Sequence, residues 1–454
     1  MNSQARPYLT RFSQFAWLAS FWFVVHFIWA TLLPVVIPAV VRGYADRGLI
    51  PLDELGTRLG LVLALGAVVS AVLQLTIGFV SDSSESRYGR RKPYILVGAL
   101  ASTAAVFYLV EAPGYWHLVL AYMLVQVFLN TASVPYQSMM PDLVPERYHG
   151  RAAAMMGIFD LTGKLSGLIV AALVISGVGI GAVSAAGDSL SFAALGVVYC
   201  VLLLGLAFVV LVKSPNYPVV LGAGFLRIRF GAGDATSIKQ ILREYARFEF
   251  RRNPEFVKLA FSRMAILLGY YTFIPLVYYF CEANLGLEAE DRWMAAALLG
   301  SIILGAVAGN LAGGYFSDRI GKRRMIFMGM AATILFMFPV IFATDIMQAI
   351  YFGAGLGVGW GAFIAADWAF AFTLIPKERT ARYMGVWDMT SLAPQMVAPL
   401  VAGVARDYLM KSGMAAEATA YQLIFTFSII YFVVGLVILG FVREYRLGLN
   451  EEPQ

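Results

Sequence analysis

Twelve long apolar runs set the limits on what this chain can become. Their approximate cores are 15–41, 57–80, 94–112, 115–138, 152–180, 189–212, 255–281, 292–316, 325–343, 346–375, 383–405 and 419–442. A helix rises about 1.5 Å per residue and the hydrocarbon layer is about 30 Å thick, so about 20 apolar residues cross it. Each run reaches or approaches that length. The composition agrees: 60% of the 454 residues are hydrophobic and only 14% are charged, against roughly 25% charged in a soluble domain. One or two soluble cores could not hide so much apolar surface. The expected fold is an all-α membrane protein of twelve transmembrane helices in two six-helix bundles.

The net charge of +6 would suggest nucleic acid in a soluble chain. Here the cations sit in short loops, so they read as topology signals facing anionic lipid. One set of alternate loops, with both ends of the chain, carries 25 of the 34 Lys and Arg; the opposite set carries six and three lie in spans. That split predicts both termini in the cytoplasm, with the bacterial inner membrane as the expected location. The first apolar run is too long for a secretory signal core. Two cysteines, Cys200 and Cys281, predict neither a disulfide framework nor a metal site.

The expected division is a bundle over 1–212, a cytoplasmic linker over 213–253 and a second bundle over 254–454. In the linker, Ile238, Ile241, Leu242, Tyr245 and Phe248 share one helical face, with Lys239, Arg243, Arg247 and Arg251 elsewhere. This pattern suits a helix lying on the membrane surface; a plain tether is the alternative.

Two short motifs recur. Gly78-Phe-Val-Ser-Asp82 matches Gly314-Tyr-Phe-Ser-Asp318, and Arg87-Tyr-Gly89-Arg90-Arg91-Lys92 matches Arg319-Ile-Gly321-Lys322-Arg323-Arg324; the first copy carries four extra residues, Ser83 to Ser86. Gly157-Ile-Phe-Asp160-Leu-Thr162 matches Gly385-Val-Trp-Asp388-Met-Thr390. Both pairs fall at corresponding places in the two halves, which argues for a duplicated six-helix unit, a common transporter design.

On these residues the chain resembles the major facilitator superfamily, whose signature is the G-x-x-x-D-R-x-G-[RK]-[RK] loop. The longer first copy, running on into Pro93-Tyr94, and Pro394-Gln395-Met396-Val397 look like the branch of sucrose and other glycoside–cation symporters. The resemblance implies that Asp82 meets the start of span 11 and Asp318 the start of span 5, where helix N-termini are partly positive. Arg87, Arg90, Arg91, Arg319 and Arg323 would then pair with acids at span ends such as Asp142 and Glu146, forming a cytoplasmic gate. Gly89 and Gly321 would make the tight turns. Simple topology anchoring is the competing reading.

A charge near the bilayer centre costs about 2.5–3.5 kcal/mol on insertion scales. Asp160, Lys164, Arg263, Asp367 and Asp388 all fall within or at the edge of spans. Asp160 and Lys164 share a helical face and can pair, and Arg263 can neutralise one more acid. One acid of three is left over, and a lone buried carboxyl holds a proton readily. Hence Asp160, Lys164, Asp367 and Asp388 are the candidate proton-coupling residues; fixed structural pairs are the alternative. Sucrose-type members carry an Asp and an Arg in span 4 where this chain has Gln126 and Gln137, which puts carry-over of that branch's coupling in doubt.

Aromatic faces and amides suit sugars. Candidate substrate contacts are His26, Trp29, Gln126, Asn130, Gln137, Arg263, Tyr270, Tyr271, Trp360 and Gln395; packing and interface anchoring compete for each aromatic. Clustered glycines in span 10, Gly353 to Gly361, permit close helix contact and are no nucleotide loop. The sequence shows no nucleophile–base constellation, metal-ligand cluster or nucleotide motif, so it is read as no enzyme, with no cofactor and no nucleic-acid partner. The expected function is proton-coupled symport of a sugar or glycoside by a monomer, with proton-antiport efflux of an amphipathic solute, or a non-transporting membrane sensor, as alternatives.

Overall fold

The computed structural model describes residues 8–82, 84–145, 148–175, 188–216, 227–228, 253–288, 291, 293–375 and 380–443. Among them, eleven helices are long and apolar enough to cross a membrane. A twelfth, Thr380–Lys411, has 32 residues but more polar ones. The protein is an all-α, multi-pass integral membrane protein. The suggested surface helix over 238–251 lies outside the described residues.

Spans 1 and 7 are interrupted. Span 1 runs as Phe12–Thr31, a π-helical turn Leu32–Val36 and Ile37–Asp46. Span 7 runs as Pro254–Phe273, a 3₁₀ turn Ile274–Leu276 and Val277–Leu285. Pro34 and Pro275 sit in the two breaks. Proline has no N–H and crowds the preceding turn, so the regular helix yields there. Span 2 is Leu55–Asp82, span 3 Lys92–Val110, span 4 Tyr115–Gln137, span 5 His149–Ile175 and span 6 Asp188–Lys213. Span 8 is Trp293–Ile320, span 9 Lys322–Ile341, span 10 Ile346–Leu374 and span 12 Glu417–Gly440. Span 11 is longer than its apolar run, so Arg406, expected in a loop, lies inside a helix. Arg42 likewise falls within the second part of span 1.

Packing divides the chain into two compact units: one of residues 1–240, 274–300 and 395–424, the other of 241–273, 301–394 and 425–454. In the first, spans 1 and 5 pack closely, as do spans 3 and 4. Gly163 and Gly167 of span 5 lie on the backbone of Phe23 and Phe27, so no larger side chain fits between these helices. In the second, span 10 is sandwiched. Its Gly357 and Gly361 meet the backbone of Ile302 and Ala306 in span 8, while Gly355 and Gly359 meet Phe336 and Thr333 in span 9. Four-residue spacing puts each glycine pair on one helical face, so one glycine run serves two contacts. Large apolar side chains such as Phe208, Leu311, Leu335 and Tyr351 point outward, as lipid-facing residues should.

The four-residue insertion after Asp82 has a structural partner. Ser84–Glu85 forms strand β1, antiparallel to β2, Arg227–Ile228, with Ser84 opposite Ile228. The extra residues therefore pair the first loop with the central segment of the chain.

Candidate functional site

Two clusters of charge form inside the spans. The first joins spans 1 and 5. His26 Nδ1 lies 2.8 Å from Asp160 Oδ1, and Lys164 Nζ donates to the same carboxylate at 2.9 Å. Gly163 explains the geometry. It lets span 5 approach the backbone of Phe23, one turn from both His26 and Asp160. Trp22 meets the imidazole edge to face at 4.6 Å. His26 Nε2 is buried without a hydrogen-bond partner among the described residues. All three side chains keep partial exposure, from 20% at His26 to 35% at Lys164.

The second cluster joins spans 7, 10 and 11. Arg263 pairs with Asp367 and donates to Ser391 Oγ at 3.1 Å. Its guanidinium lies 4.5 Å from the ring centre of Trp387 and 5.5 Å from that of Trp368. This pair is far drier than the first, with Arg263 5% and Asp367 1% exposed. Arginine suits such a place, because its planar cation both stacks and forks hydrogen bonds. Asp388, one turn before Ser391 along the helix, is exposed and within electrostatic reach of Arg263. It makes no hydrogen bond or ion pair among the described residues.

The clusters are counterparts by position. Asp160 and Asp388 are the paired acids of the repeat. Span 1 supplies His26 and span 7 supplies Arg263, 237 positions apart; Asp82 and Asp318 are 236 apart. His26 thus contacts an acid as Arg263 does. The sequence held this signal in the repeat spacing.

Several candidate substrate residues are already engaged. Gln126 donates to Tyr122 Oη at 2.8 Å and accepts from Asn130 at 3.1 Å. Asn130 also donates to the Gln126 carbonyl at 2.8 Å, and both side chains are buried. With Ser70 of span 2 donating to Asn130 Oδ1 at 3.4 Å, these amides have protein partners, which is a structural use of groups expected to meet solute. Tyr270 stacks on Trp360 with centroids 4.5 Å apart and planes 9° apart. Phe363 and Phe432 also approach Trp360, so its faces are occupied by protein. Gln137 is exposed at the last residue of span 4. Trp29, Tyr271 and Gln395 are half-buried.

At the candidate gate, Arg90 and Arg91 converge on Asp142, at 3.1 and 2.9 Å. Arg91 also donates to Ser81 Oγ at 3.0 Å. These contacts tie the loop to the short helix Met139–Leu143 within the first unit. Lys92 donates to Leu211 O, Ser214 O and Asn216 Oδ1, at 2.7, 2.6 and 2.6 Å, which caps the end of span 6. Gly89 and Gly321 take φ of 91° and 98°, a region that a side chain would strain. Arg87 and Arg319 are exposed and lie over Tyr88 and Tyr315. Arg323 donates to Gly440 O at 2.6 Å. Asp82 and Asp318 fall in the last turns of spans 2 and 8; their side chains and Glu146 lie outside the described residues.

Broken spans, glycine-packed helices and acids held inside the bundle define a multi-pass α-helical transporter. The profile of the Major Facilitator Superfamily matches residues 18–399 and 296–453, and the chain belongs to that family. It is a transporter of this superfamily and not an enzyme. Curated relatives match over short stretches. A lactose permease of Lactobacillus helveticus is 32% identical over 118 residues, covering 24% of this chain and 18% of the permease. The uncharacterized symporter sll1374 of Synechocystis is 28% identical over 134 residues, 26% of this chain and 24% of that protein. The chain thus spans under a third of the length of these relatives. Among solved structures, a bacterial homolog of the human lysosomal transporter Spinster, inward-facing and occupied, superposes with a TM-score of 0.70 at 14% identity, covering 97% of both chains. A D-xylose–proton symporter gives 0.68 at 12% identity, over 96% of this chain and 99% of that one. At such identity the likeness is one of fold.

Proposed function

We propose that this transporter is a proton-coupled symporter of a sugar or glycoside, of the glycoside–cation branch, working by alternating access as a monomer. The observation that carries the coupling is the doubled arrangement of an in-span acid beside a nitrogen-bearing side chain from the first span of its half. Asp160 is held by His26 and Lys164, and Asp388 stands near Arg263, which Asp367 already neutralises. A carboxylate whose cationic neighbour is shared can take up a proton without stranding a charge. Asp388 is therefore the leading proton carrier and Asp160 the second. Similarity to a lactose permease and to a D-xylose–proton symporter supports the solute class. The half-buried Trp29, Tyr271 and Gln395 are the remaining solute contacts.

The excess of Lys and Arg on one set of loops supports both termini in the cytoplasm, in a bacterial inner membrane. The repeat supports two bundles, 1–212 and 254–454, joined by 213–253. At the cytoplasmic side, Asp82 and Asp318 with Arg87, Arg90, Arg91, Arg319 and Arg323 form the gate.

The test is uptake by proteoliposomes across a panel of sugars, with and without an inward proton gradient. Gradient-driven accumulation of a sugar is expected in the native protein. Replacing Asp160, Asp367 and Asp388 singly by the amide should abolish it in at least one variant; full coupling in all three refutes the carriers named.

A further inference from the structure

Span 1 is buried on most of its surface. Between Leu18 and Thr31 the half-buried residues are Trp22, Phe23, His26, Trp29 and Ala30, and all the others are buried. That spacing is a single stripe along one helical face, and His26 stands at its centre, with its side chain 20% exposed.

The two nitrogens of the His26 ring have unlike surroundings. Nδ1 lies 2.8 Å from Asp160 Oδ1. Two lone pairs would repel at that distance, so Nδ1 carries a proton. Lys164 already balances the charge of Asp160, so a neutral ring fits here. A neutral imidazole has one N–H, which leaves Nε2 as an acceptor. Nε2 is buried and meets no hydrogen-bond partner among the described residues. Buried polar atoms are nearly always paired, and a bare one is costly to keep. Trp22 packs edge to face against the ring, which holds the bare nitrogen in place.

We propose that Nε2 of His26 accepts one particular hydroxyl of the solute, and that Asp160 is the positioning residue that fixes the ring's tautomer and aim. The proposal rests on the sugar reading above and adds its specificity. A site with a bare acceptor rejects an analogue that lacks the matching donor far more strongly than an apolar site rejects a change of size. The test compares two substitutions that each keep half of the ring's hydrogen bonding. His26→Asn keeps an N–H near the Nδ1 place and has nothing at the Nε2 place. His26→Gln keeps an acceptor near the Nε2 place and gives up the contact with Asp160. Counterflow of lactose, sucrose and D-xylose in proteoliposomes gives KM and Vmax without a proton gradient. For a sugar that the native protein carries, His26→Asn should raise KM about tenfold with little change in Vmax, the size of one lost hydrogen bond. His26→Gln should raise it less. A ring that merely props Asp160 gives the opposite order, and an unchanged KM in His26→Asn overturns the proposal. Among monodeoxy forms of that sugar, one should bind about tenfold worse to the native protein and no worse than its parent to His26→Asn. A further readout needs no solute. Nitrogen NMR of the purified full chain, with His26 assigned among the three histidines by its loss in His26→Gln, should show the tautomer with the proton on Nδ1. A proton on Nε2 instead overturns the proposal. A native protein that carries none of the three sugars refutes the sugar reading, and the tautomer still decides this one.

Discussion

The two charge clusters solve one problem in opposite ways. In the first, one carboxylate, Asp160, is shared by an imidazole and one cation, Lys164, and all three groups keep some exposure. In the second, one guanidinium, Arg263, serves a buried carboxylate, a hydroxyl and two tryptophan faces, with Asp388 nearby. The first balances one acid against one lysine with a histidine beside them, and the second has acid to spare. Wet pairs are weak and adjustable, whereas dry pairs are costly to break. On the proposed function, the dry Arg263–Asp367 pair holds spans 7, 10 and 11 together and Asp388 exchanges charge.

Arg263→Met breaks this contrast most severely. It strands Asp367 in a dry site and should cost about 3–5 kcal/mol of stability, read as thermal unfolding in detergent. The double variant with Asp367→Leu should recover most of that loss; an equally unstable double variant would mean the guanidinium acts mainly through its tryptophan contacts. Gly163→Ala comes next, because its new methyl group meets the backbone of Phe23. A loss of about 1–3 kcal/mol is expected from such overpacking, together with weaker proton-driven uptake as His26 and Asp160 separate. A native melting curve would show that spans 1 and 5 have slack there. His26→Gln should change stability by no more than about 1 kcal/mol, since Asp160 keeps Lys164 in a partly exposed setting. A loss as large as that of Arg263→Met would erase the difference between wet and dry. The smallest effect on stability is expected for Asp388→Asn, which has no direct partner among the described residues to lose. Proton-driven uptake should nevertheless disappear while counterflow persists; retained gradient-driven uptake returns the coupling role to Asp160.

The pairing of Asp160 with Lys164 follows from four-residue spacing alone, because neighbouring turns of one helix need no tertiary information. The pairing of Arg263 with Asp367 was legible only as charge balance. Nothing local says which of three acids an arginine 104 positions away will meet. His26 looked like a solute ligand because aromatic neighbours surround it in sequence. Its acidic partner comes from another helix, brought near by glycines whose purpose appears only in the packing. Gln126 and Asn130 looked available because amides suit a sugar, and they spend hydrogen bonds on each other, on Tyr122 and on Ser70.

By itself the sequence determined the solvent, the spans and the repeat. These depend on hydropathy over about 20 residues and on motifs read along one strand of text. Tertiary structure decided which buried charges meet, and that Arg406 and Asp407 sit in a helix against the start of span 2 rather than in a loop. The physical reason is that a charge in a low-dielectric interior is tolerated only beside its partner. That partner is chosen by helix approach, set here by Gly56, Gly163 and Gly403 across long separations in the chain.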